Sequence, residues 1–365
     1  MTHAAPSDPF APGLLRRLPE PPRTVAVVRP GRIGDFLCAT PALRALRRAL
    51  TDARITYIGL PFLRELVERS TTLDRFEEFP GFPGLAEQFF DARRAADFFG
   101  RLQAERLDLA VQMHGSGVYS NVFTLLLGAR RAAGFVRPGD SPGRLDAALP
   151  YPAAGHEVRR LLALTTFLGA PPCGEDLDFP LAADDRAEAG RLLAGCPRPL
   201  VGLHPAARDA TKRWEPRRFA AVAARLRERH GGTAVLLGGP EERQWLEGLA
   251  RQLGGAARNL AGQTSLPVLG AVIERLDVLL TNDSGPAHVA YAVGAPAVTV
   301  FGSSDPRRWG SPASGRSQAL AHPVPCRPCE YMDACPIGAP CLDGVTAEQV
   351  LAAAEAVLER HGAWA

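Results

Sequence analysis

The turn from Arg29 to Asp35 combines two glycines with a carboxylate, residue types suited to close ligand approach and to proton transfer. Its sequence, RPGRIGD, matches neither a Walker phosphate loop nor the GxGxxG fingerprint of dinucleotide-binding proteins. Two interpretations of Asp35 stay open. The side chain either caps the N-terminus of a following helix or serves as a general base at a binding site.

The stretch from Leu203 to Trp214 gathers groups that bind phosphate. It follows a predicted strand and contains small residues, then Arg208, Thr211 and Lys212, so backbone amides, a hydroxyl and cations could surround a diphosphate. Lys212 is the single lysine among 42 basic residues, and a compact ammonium fits where a planar guanidinium does not. The alternative is an ordinary solvated basic loop.

The stretch from Leu279 to His288 predicts a strand, a tight loop and a helix that a proline opens. Free amides at the N-terminus of that helix, with Gly285 permitting close approach, form an anion site suited to nucleotide phosphates. The alternatives are that Asp283 only caps the helix and that His288 only packs in the core. A second loop, residues 301–310, ends the next strand at the same edge, so two loops converge on one ligand.

Parallel sheets must position these segments, and short β-branched runs that alternate with helical patterns predict such sheets. The predicted strands are Thr24–Arg29, Arg54–Ile58, Leu107–Gln112 and Arg131–Phe135 in the first half, and Leu200–His204, Thr233–Leu237, Asp277–Thr281 and Ala297–Phe301 in the second. The predicted helices are Pro41–Leu50, Pro216 up to Gly231, Glu241–Leu253, Pro267–Leu276, Pro286–Val293 and Thr346–Leu358. Right-handed crossovers bring the loops after neighbouring strands to one edge of each sheet.

The length of 365 residues predicts two domains, at about 150 residues per domain. We expect a disordered tail at 1–22, an N-terminal domain at 23–170, a linker at 171–180, a C-terminal domain at 181–345 and a C-terminal helix at 346–365. The predicted fold class is α/β, with two doubly wound, Rossmann-like domains facing across a cleft in which a ligand binds. This organisation favours a nucleotide-dependent transferase.

The composition excludes several classes of protein. With 46% hydrophobic and 22% charged residues, the chain is typical of folded globular proteins rather than disordered, collagen-like or membrane-spanning ones. A formal net charge of +3 gives no overall field that would favour nucleic acid as a partner. Because no apolar run reaches the roughly 18 residues of a membrane span and the proline-rich start lacks a signal-peptide pattern, we predict a cytoplasmic location.

Four of the seven cysteines lie close together near the C-terminus. They are Cys326, Cys329, Cys335 and Cys341. One CxxC followed by two wider gaps could hold a structural zinc ion or an iron–sulfur cluster, and the alternative is a set of structural or redox-labile thiols. An odd total argues against a complete disulfide framework.

Taken together, these segments resemble the ADP-heptose:lipopolysaccharide heptosyltransferases of glycosyltransferase family 9. The resemblance covers roughly Thr24 to Leu358 in order and spacing and depends on the motifs as a set. The matching motifs are Arg29 with Gly34-Asp35 and Thr40-Pro41, His204-Pro205 through Lys212 to Trp214, Asp283-Ser284-Gly285 with His288, and Phe301-Gly302 through Asp305-Pro306 to Trp309-Gly310. It implies a GT-B fold, an acceptor-binding N-terminal domain, a donor-binding C-terminal domain, and an inverting transfer that needs no bound metal or other cofactor.

The resemblance also implies residue roles. The family's base corresponds to Asp35, its phosphate-binding lysine to Lys212 and its donor-contacting acidic residue to Glu241. The residues expected on the donor side are Lys212, Thr211, Arg208, Glu241, Asp283, Ser284, Gly285 and His288, and those expected on the acceptor side are Arg29, Arg32, Gly34 and His114. One departure is Ala206-Ala207, where relatives often have hydroxyl or glycine residues, so a hydroxyl contact to phosphate would have to come from Thr211.

The resemblance therefore predicts a glycosyltransferase that moves a heptose or related sugar from ADP-heptose or another nucleotide sugar to a lipopolysaccharide-core or other glycan or glycolipid acceptor. Seven phenylalanines between residues 76 and 99, next to arginines, would suit peripheral contact with the inner membrane, although core packing explains most such aromatics. Two alternatives stay open. One is a nucleotide-sugar epimerase or hydrolase on the same fold, and the other is a catalytically silent nucleotide-binding scaffold.

Overall fold

The structure is a computed structural model that describes residues 8–254, 257–312, 316–329 and 334–361. The chain divides into two units, Met1–Glu175 and Asp176–Ala365. The division falls inside the segment 171–180 that the sequence predicts to be a linker. Within the described ranges, no helix is both long and apolar enough to cross a membrane.

A six-stranded parallel sheet forms the first unit's centre. Its strands are β1 (Thr24–Val28), β2 (Arg54–Gly59), β3 (Arg75–Glu78), β4 (Leu109–Gln112), β5 (Arg131–Val136) and β6 (Ala147–Pro150). Their spatial order is β3-β2-β1-β4-β5-β6, so the chain order reverses direction between β1 and β4. Residues 25–28 of β1 are fully buried, as expected for a central parallel strand. Ligands of such sheets bind where the loops after the two central strands meet.

Helices connect the strands of the first sheet. They are α1 (Leu14–Arg17), α2 (Ile33–Ala49), α3 (Arg64–Glu68), α4 (Ala92–Ala104), α5 (Ser120–Leu126) and α6 (Glu157–Leu168), with a 3₁₀ turn at Pro61–Leu63. The long helix α2 follows β1 and packs against α6. These two helices therefore carry the residues nearest the point where the strand order reverses.

α2 begins at Ile33 rather than at Pro41, where the sequence predicts its start. Pro41 lies inside the helix and has no amide hydrogen to donate to the carbonyl of Leu37. The hydroxyl of Thr40 donates to that carbonyl instead, at 2.7 Å. Because the Leu37 carbonyl keeps a partner, the helix continues through the proline, and Asp35 lies in its first turn.

The segment predicted as a disordered tail contains structure over its described part, residues 8–22. It includes α1, whose Leu14 is buried. The amide of Gly13 donates to the carbonyl of Phe167 at 2.7 Å, and the carbonyl of Pro9 accepts from the amide of Ala148 at 2.7 Å. The prediction of disorder is wrong for this stretch, because one apolar side chain and a few backbone hydrogen bonds leave no periodic pattern in a sequence.

The second unit repeats the topology of the first. Its strands are β7 (Leu200–His204), β8 (Thr233–Leu236), β9 (Ala257–Asn259), β10 (Val278–Asn282), β11 (Ala297–Phe301) and β12 (Ser317–Ala321). They lie parallel in the order β12-β11-β10-β7-β8-β9. The chain order reverses between β7 and β10, where His204 is in register with Thr281. The loops after β7 and β10 therefore meet at the second sheet's ligand-binding position.

The helices of the second unit surround the loops that carry the phosphate-binding candidates. They are α7 (Ala183–Leu192), α8 (Pro216–His230), α9 (Arg243–Leu253), α10 (Leu266–Glu274), α11 (Gly285–Val293), α12 (Pro306–Trp309), α13 (Pro340–Asp343) and α14 (Ala347–Arg360), with 3₁₀ turns at Ala210–Lys212 and Pro240–Glu242. At the start of α14, Thr346 and Gln349 exchange hydrogen bonds of 2.9 and 3.3 Å in a capping box. The apolar face of α14 then completes the core of this unit.

Gly302 follows β11 and lies against the turn Ala210–Lys212. A Cβ atom on Gly302 would be 2.2 Å from the carbonyl oxygen of Thr211. The amide of Ser303 donates to the same oxygen at 3.2 Å. The close approach of these two loops therefore requires glycine at position 302.

We expect Gly302→Ala to lower the free energy of unfolding by about 1–3 kcal/mol, because the added methyl group forces the two backbones apart. Gly248 in α9 provides a matched control, since a Cβ atom there would have no neighbour within 4 Å. Gly248→Ala should be neutral or stabilise the protein by up to about 1 kcal/mol through helix propensity. Urea denaturation of both variants measures the difference, and equal stability of the two variants would contradict the packing described.

Candidate active site

Arg29 follows β1 directly, and its guanidinium joins three segments where the first sheet reverses its strand order. The residue is only 1% exposed. Its Nε donates to the backbone carbonyl of Asp35 at 2.7 Å, and its Nη1 donates to the carbonyl of Met113, just beyond β4. The arginine therefore fixes the first turn of α2 relative to the ends of β1 and β4.

Asp35 is the third residue of α2, and its carboxylate is held at both oxygens. Oδ1 lies 3.2 Å from Nη2 of Arg29, and Oδ2 accepts from the backbone amide of Arg32 at 2.9 Å. The second contact satisfies an amide at the helix N-terminus, although Asp35 is not itself the N-cap residue. Because its side chain is still 28% exposed, the carboxylate is oriented and also open to solvent.

Two further charged residues, Glu157 and Arg160, extend the ion pair of Arg29 and Asp35 into the protein interior. Glu157, the first residue of α6, is 3% exposed, and its Oε1 lies 3.0 Å from Nη2 of Arg29. Its Oε2 lies 3.5 Å from Nη1 of Arg160. Burial by itself would lower the pKa of Arg29, but the carboxylates of Asp35 and Glu157 outweigh burial and raise that pKa above its ordinary value. Arg29 is therefore a permanent cation in the protein interior.

The other residues predicted on the acceptor side also lie near this end of the sheet. Arg32 is exposed, and Gly34 is buried in the first turn of α2. His114 follows β4, and its Nε2 lies 3.5 Å from Oε1 of Glu87. Burial raises the pKa of Glu87, but the hydrogen bond and charge of His114 outweigh it, so the net shift is downward. An acceptor contact for these residues stays a prediction.

In the second unit, Asn282 at the end of β10 fixes the loop that follows β7. Its Nδ2 donates to the carbonyl of Pro205 at 2.8 Å, and its Oδ1 accepts from the amide of Trp214 at 3.0 Å. The buried Trp214 donates from Nε1 to the carbonyl of Val345 at 2.9 Å. Both ends of the loop 205–214 are thereby held at the strand-order reversal between β7 and β10.

Asp283 is the centre of a buried charged cluster just before α11. It is 4% exposed, and its Oδ2 lies 3.0 Å from Nζ of Lys212 and accepts a short hydrogen bond from the hydroxyl of Ser304. Its Oδ1 lies 3.8 Å from Nε2 of His288. Burial would raise the pKa of Asp283, but His288, Lys212 and Ser304 together hold it far below its usual range. Asp283 is therefore an anion that fixes the position of the Lys212 ammonium.

The Lys212 ammonium lies close to a helix N-terminus. Ser284 is the N-cap residue of α11 and Gly285 its first residue, directly after Asp283 in the chain. The Lys212 side chain is 26% exposed, so it is only partly buried while Asp283 holds its ammonium. A partly exposed lysine beside the positive end of a helix dipole suits a bound anion such as a diphosphate.

His204, at the end of β7, contacts the N-cap residue of α11 and is uncharged. Its Nδ1 is 3.3 Å from Oγ of Ser284 and 3.5 Å from Oγ1 of Thr281. Burial lowers the pKa of His204 to about 4. The imidazole is therefore uncharged at neutral pH and can exchange a hydrogen bond with the N-cap hydroxyl without adding charge to the anion site.

Three residues predicted on the donor side lie outside the cluster of charged and polar side chains around Asp283. They are Thr211, Arg208 and Glu241. The Thr211 side chain is buried and its hydroxyl donates to Oγ of Ser303 at 3.1 Å, which joins the loops after β7 and β11. A contact between Thr211 and a phosphate stays a prediction. Arg208 and Glu241 are exposed in the loops after β7 and β8, and their contact with a donor stays a prediction.

Sequence reasoning missed four residues of these clusters. They are Glu157, His204, Asn282 and Ser304, of which all except Glu157 fall inside motifs that the sequence analysis quoted or adjoin them. Glu157 is distant from Arg29 in the chain, and no local pattern indicates that the two side chains meet. An acidic residue at the start of a helix is common because of the helix dipole, so Glu157 does not by itself indicate a site.

The segment that contains the four C-terminal cysteines packs against the loop after β11. Arg327 donates from Nε to the carbonyl of Gly302 at 2.9 Å, and the amide of Cys329 donates to the carbonyl of Ser303 at 2.9 Å. All seven cysteines are free thiols, and the four near the C-terminus line one small cavity of about 10 Å³. Within the described ranges, no three or more metal-ligating side chains are grouped as a metal ion requires. Burial raises the pKa of the Cys341 thiol.

Comparison with known proteins gives consistent similarities. The sequence pattern of glycosyltransferase family 9 (heptosyltransferase) matches residues 95–335. Lipopolysaccharide heptosyltransferase 3 of Escherichia coli is 27% identical to this chain over 302 residues, which cover 76% of this chain and 82% of that protein.

Two solved structures are similar in fold. The crystal structure of a family 9 glycosyl transferase from Veillonella parvula has a TM-score of 0.76 and 22% identity, covering 92% of this chain and 97% of that one. The structure of ADP-heptose lipopolysaccharide heptosyltransferase II from Escherichia coli has a TM-score of 0.73 and 21% identity, covering 93% and 99%. The predicted α/β fold of GT-B type, with two doubly wound sheets, is confirmed.

We expect Asp283→Asn to lower the free energy of unfolding at pH 7 by about 3 kcal/mol, because it removes one partner of a buried ion pair and leaves the charge of Lys212 without its carboxylate. Asp343→Asn, at an exposed position of the same unit, should change it by less than about 0.5 kcal/mol. Urea denaturation of both variants measures the two values.

The effect of Asp283→Asn should also depend on pH. The pKa of Asp283 in the folded protein lies below the value of about 3.9 for an unfolded chain. Its stabilisation is therefore complete above that value and decreases as the pH falls below it. The difference in stability between wild type and variant should shrink below about pH 4, and a difference that is constant from pH 7 to pH 3 would contradict the buried ion pair.

Proposed function

Because this chain belongs to glycosyltransferase family 9, the heptosyltransferase family, and is a glycosyltransferase, we propose that it transfers a heptose or related sugar from ADP-heptose to a lipopolysaccharide-core acceptor. We further propose that the transfer inverts the anomeric centre and needs no cofactor. The observation that carries the proposal is the Lys212 ammonium, held 3.0 Å from a buried carboxylate beside the N-terminus of α11.

Lys212 and α11 serve the donor in this proposal. When the bond between the sugar and the diphosphate breaks, negative charge builds up on the departing nucleoside diphosphate. An ammonium and a helix N-terminus that already point at the phosphates stabilise this charge without having to reorganise. Because Asp283 fixes the ammonium, the positive charge that another enzyme would take from a metal ion comes from the chain itself.

Asp35 serves the acceptor. A hydroxyl that attacks the anomeric carbon must lose its proton, and a positioned general base contributes about 10²- to 10⁴-fold to such a step. The Asp35 carboxylate is oriented by Arg29 and the Arg32 amide and is open to solvent, as a base requires. Attack from the side opposite the diphosphate inverts the configuration of the sugar.

The acceptor proposal extends to the protein's surroundings. A lipopolysaccharide core is carried by a membrane lipid, so we propose a cytoplasmic enzyme that makes peripheral contact with the inner membrane. Most of the aromatic cluster predicted to serve this contact packs in the core, with Phe79 and Phe98 buried, whereas Phe89 is 88% and Phe90 39% exposed. The exposed rings support a membrane contact, and the buried rings are structural.

Asp35→Asn tests the proposal. Wild-type protein should transfer heptose from ADP-heptose to a heptose-deficient lipopolysaccharide, and the variant should do so about 10²- to 10⁴-fold more slowly, because asparagine cannot accept the proton. Binding of ADP should be unchanged. Asp52→Asn, at an exposed loop position of the same unit, is the matched control and should transfer at the wild-type rate.

The same assay separates the alternatives. Consumption of ADP-heptose at the full rate without any acceptor would favour an epimerase or hydrolase. Binding of ADP-heptose with no turnover and no transfer to any lipopolysaccharide preparation would favour a silent scaffold. An unchanged transfer rate in Asp35→Asn would contradict the assignment of the base.

A further inference from the structure

We propose that Glu157 is a positioning residue for sugar transfer: acting through Arg29, it fixes the orientation of the Asp35 carboxylate and places a second negative charge close to it. The inference rests on the proposed function, because it assumes that Asp35 takes the proton of the acceptor. Glu157 itself is buried and is not placed to touch a substrate.

The geometry joins the two carboxylates through a single nitrogen atom. Nη2 of Arg29 lies 3.2 Å from Oδ1 of Asp35 and 3.0 Å from Oε1 of Glu157. These two oxygens are therefore within about 6 Å of each other. The other guanidinium nitrogens donate to the carbonyls of Asp35 and Met113, so Arg29 has no freedom to turn away from either carboxylate.

This arrangement divides the charge of Arg29 between two anions. If Arg29 faced Asp35 alone, its positive charge would act on that carboxylate without an opposing charge. Glu157 adds a negative charge within a short distance and offsets part of the effect of Arg29. Proton transfer from an acceptor hydroxyl to Asp35 is therefore less opposed by the nearby cation than it would be without Glu157.

The groups that face Arg29 from other elements do not replace Glu157. Tyr57 of β2 donates from its hydroxyl to the carbonyl of Arg29 at 2.8 Å, and burial raises the pKa of this tyrosine, so it stays neutral. Cys38 of α2 also lies near the guanidinium. Arg160 faces Glu157 on the side away from Arg29. Its guanidinium lies over the ring of Tyr151, and its Nη2 donates a hydrogen bond to the carbonyl of Ala153, so its position is fixed.

A purely structural role for Glu157 makes different predictions. As the first residue of α6, Glu157 would stabilise that helix through the helix dipole alone. In that case its replacement would lower the stability of the protein, but the pH dependence of the reaction would stay the same. The charge-sharing role requires that the pH dependence changes, with a direction set by the sign of the charge removed.

Glu157→Gln and Glu157→Asp test the inference. In Glu157→Gln, we expect kcat to fall about 3- to 10-fold on the pH plateau, with KM for the donor unchanged, and the acid limb of the kcat profile to move about one pH unit lower. Glu157→Asp keeps the charge, so its acid limb should stay at the wild-type position. Unfolding curves of both variants report the structural contribution separately.

If Glu157→Gln does not fold, Arg160→Met provides a second test of the same inference. Removal of the Arg160 charge takes away a cation that offsets the charge of Glu157, so the acid limb should move to higher pH, opposite to the shift in Glu157→Gln. An acid limb at the wild-type position in every folded variant would overturn the proposal and leave Glu157 with a structural role.

A measurement without catalysis distinguishes failure of this inference from failure of the proposed function. Aspartate labelled with ¹³C at the side-chain carboxyl gives a signal for Asp35, which Asp35→Asn identifies by its loss. The midpoint of its pH titration should move lower in Glu157→Gln. If wild-type protein transfers no sugar but this shift is seen, the proposed function fails and the coupling stands; no shift overturns the coupling.

Discussion

A charge can be buried only beside an opposite charge, and this constraint organises both candidate sites. In the second unit, Asp283 is held in the interior by Lys212 from the loop after β7, His288 from α11 and Ser304 from the loop after β11. These contacts bring the three segments together and fix the position of the Lys212 ammonium. In the first unit, the buried cation Arg29 is paired in the same way with the carboxylates of Asp35 and Glu157. Stability and placement of charge thus come from the same contacts, since an unpaired buried charge would cost several kcal/mol.

The duplicated topology explains why each charged cluster lies where it does. Both sheets reverse their strand order between the first and fourth strands of the unit, and the segments that follow these strands carry Arg29, Asp35, Lys212 and Asp283. The first unit holds a carboxylate that is open to solvent, and the second an ammonium beside a helix N-terminus. In the proposed function, one topology supplies a base in one unit and a phosphate-binding cation in the other, and the difference arises from the residues that follow the strands.

Much of the fold could be predicted because central parallel strands are continuous apolar runs. The four strands missing from the prediction, β3, β6, β9 and β12, are the edges of the two sheets, where polar residues such as those of the sequence RFEE interrupt the pattern. The start of α2 was missed because Pro41 normally ends a helix, and only the contact between Thr40 and Leu37 shows why it does not. Asp35, Lys212 and Asp283 lie in the segments that follow central strands, so the sequence pattern singles them out as candidates. Glu157 could not, because its partner Arg29 lies far away in the chain and meets it only after folding.

Calorimetric titration of ADP into wild type and Lys212→Met tests the central claim most directly. We predict that the variant binds ADP about 10- to 100-fold more weakly, since one charged contact to a phosphate contributes about 1.5–3 kcal/mol. Arg217→Met, an exposed position in α8, should bind like wild type, and Lys212→Met combined with Asp283→Asn shows whether a buried charge without a partner has disturbed the fold. Equal affinity of ADP for Lys212→Met and wild type would contradict the claim that Asp283 holds this ammonium in place for the phosphates.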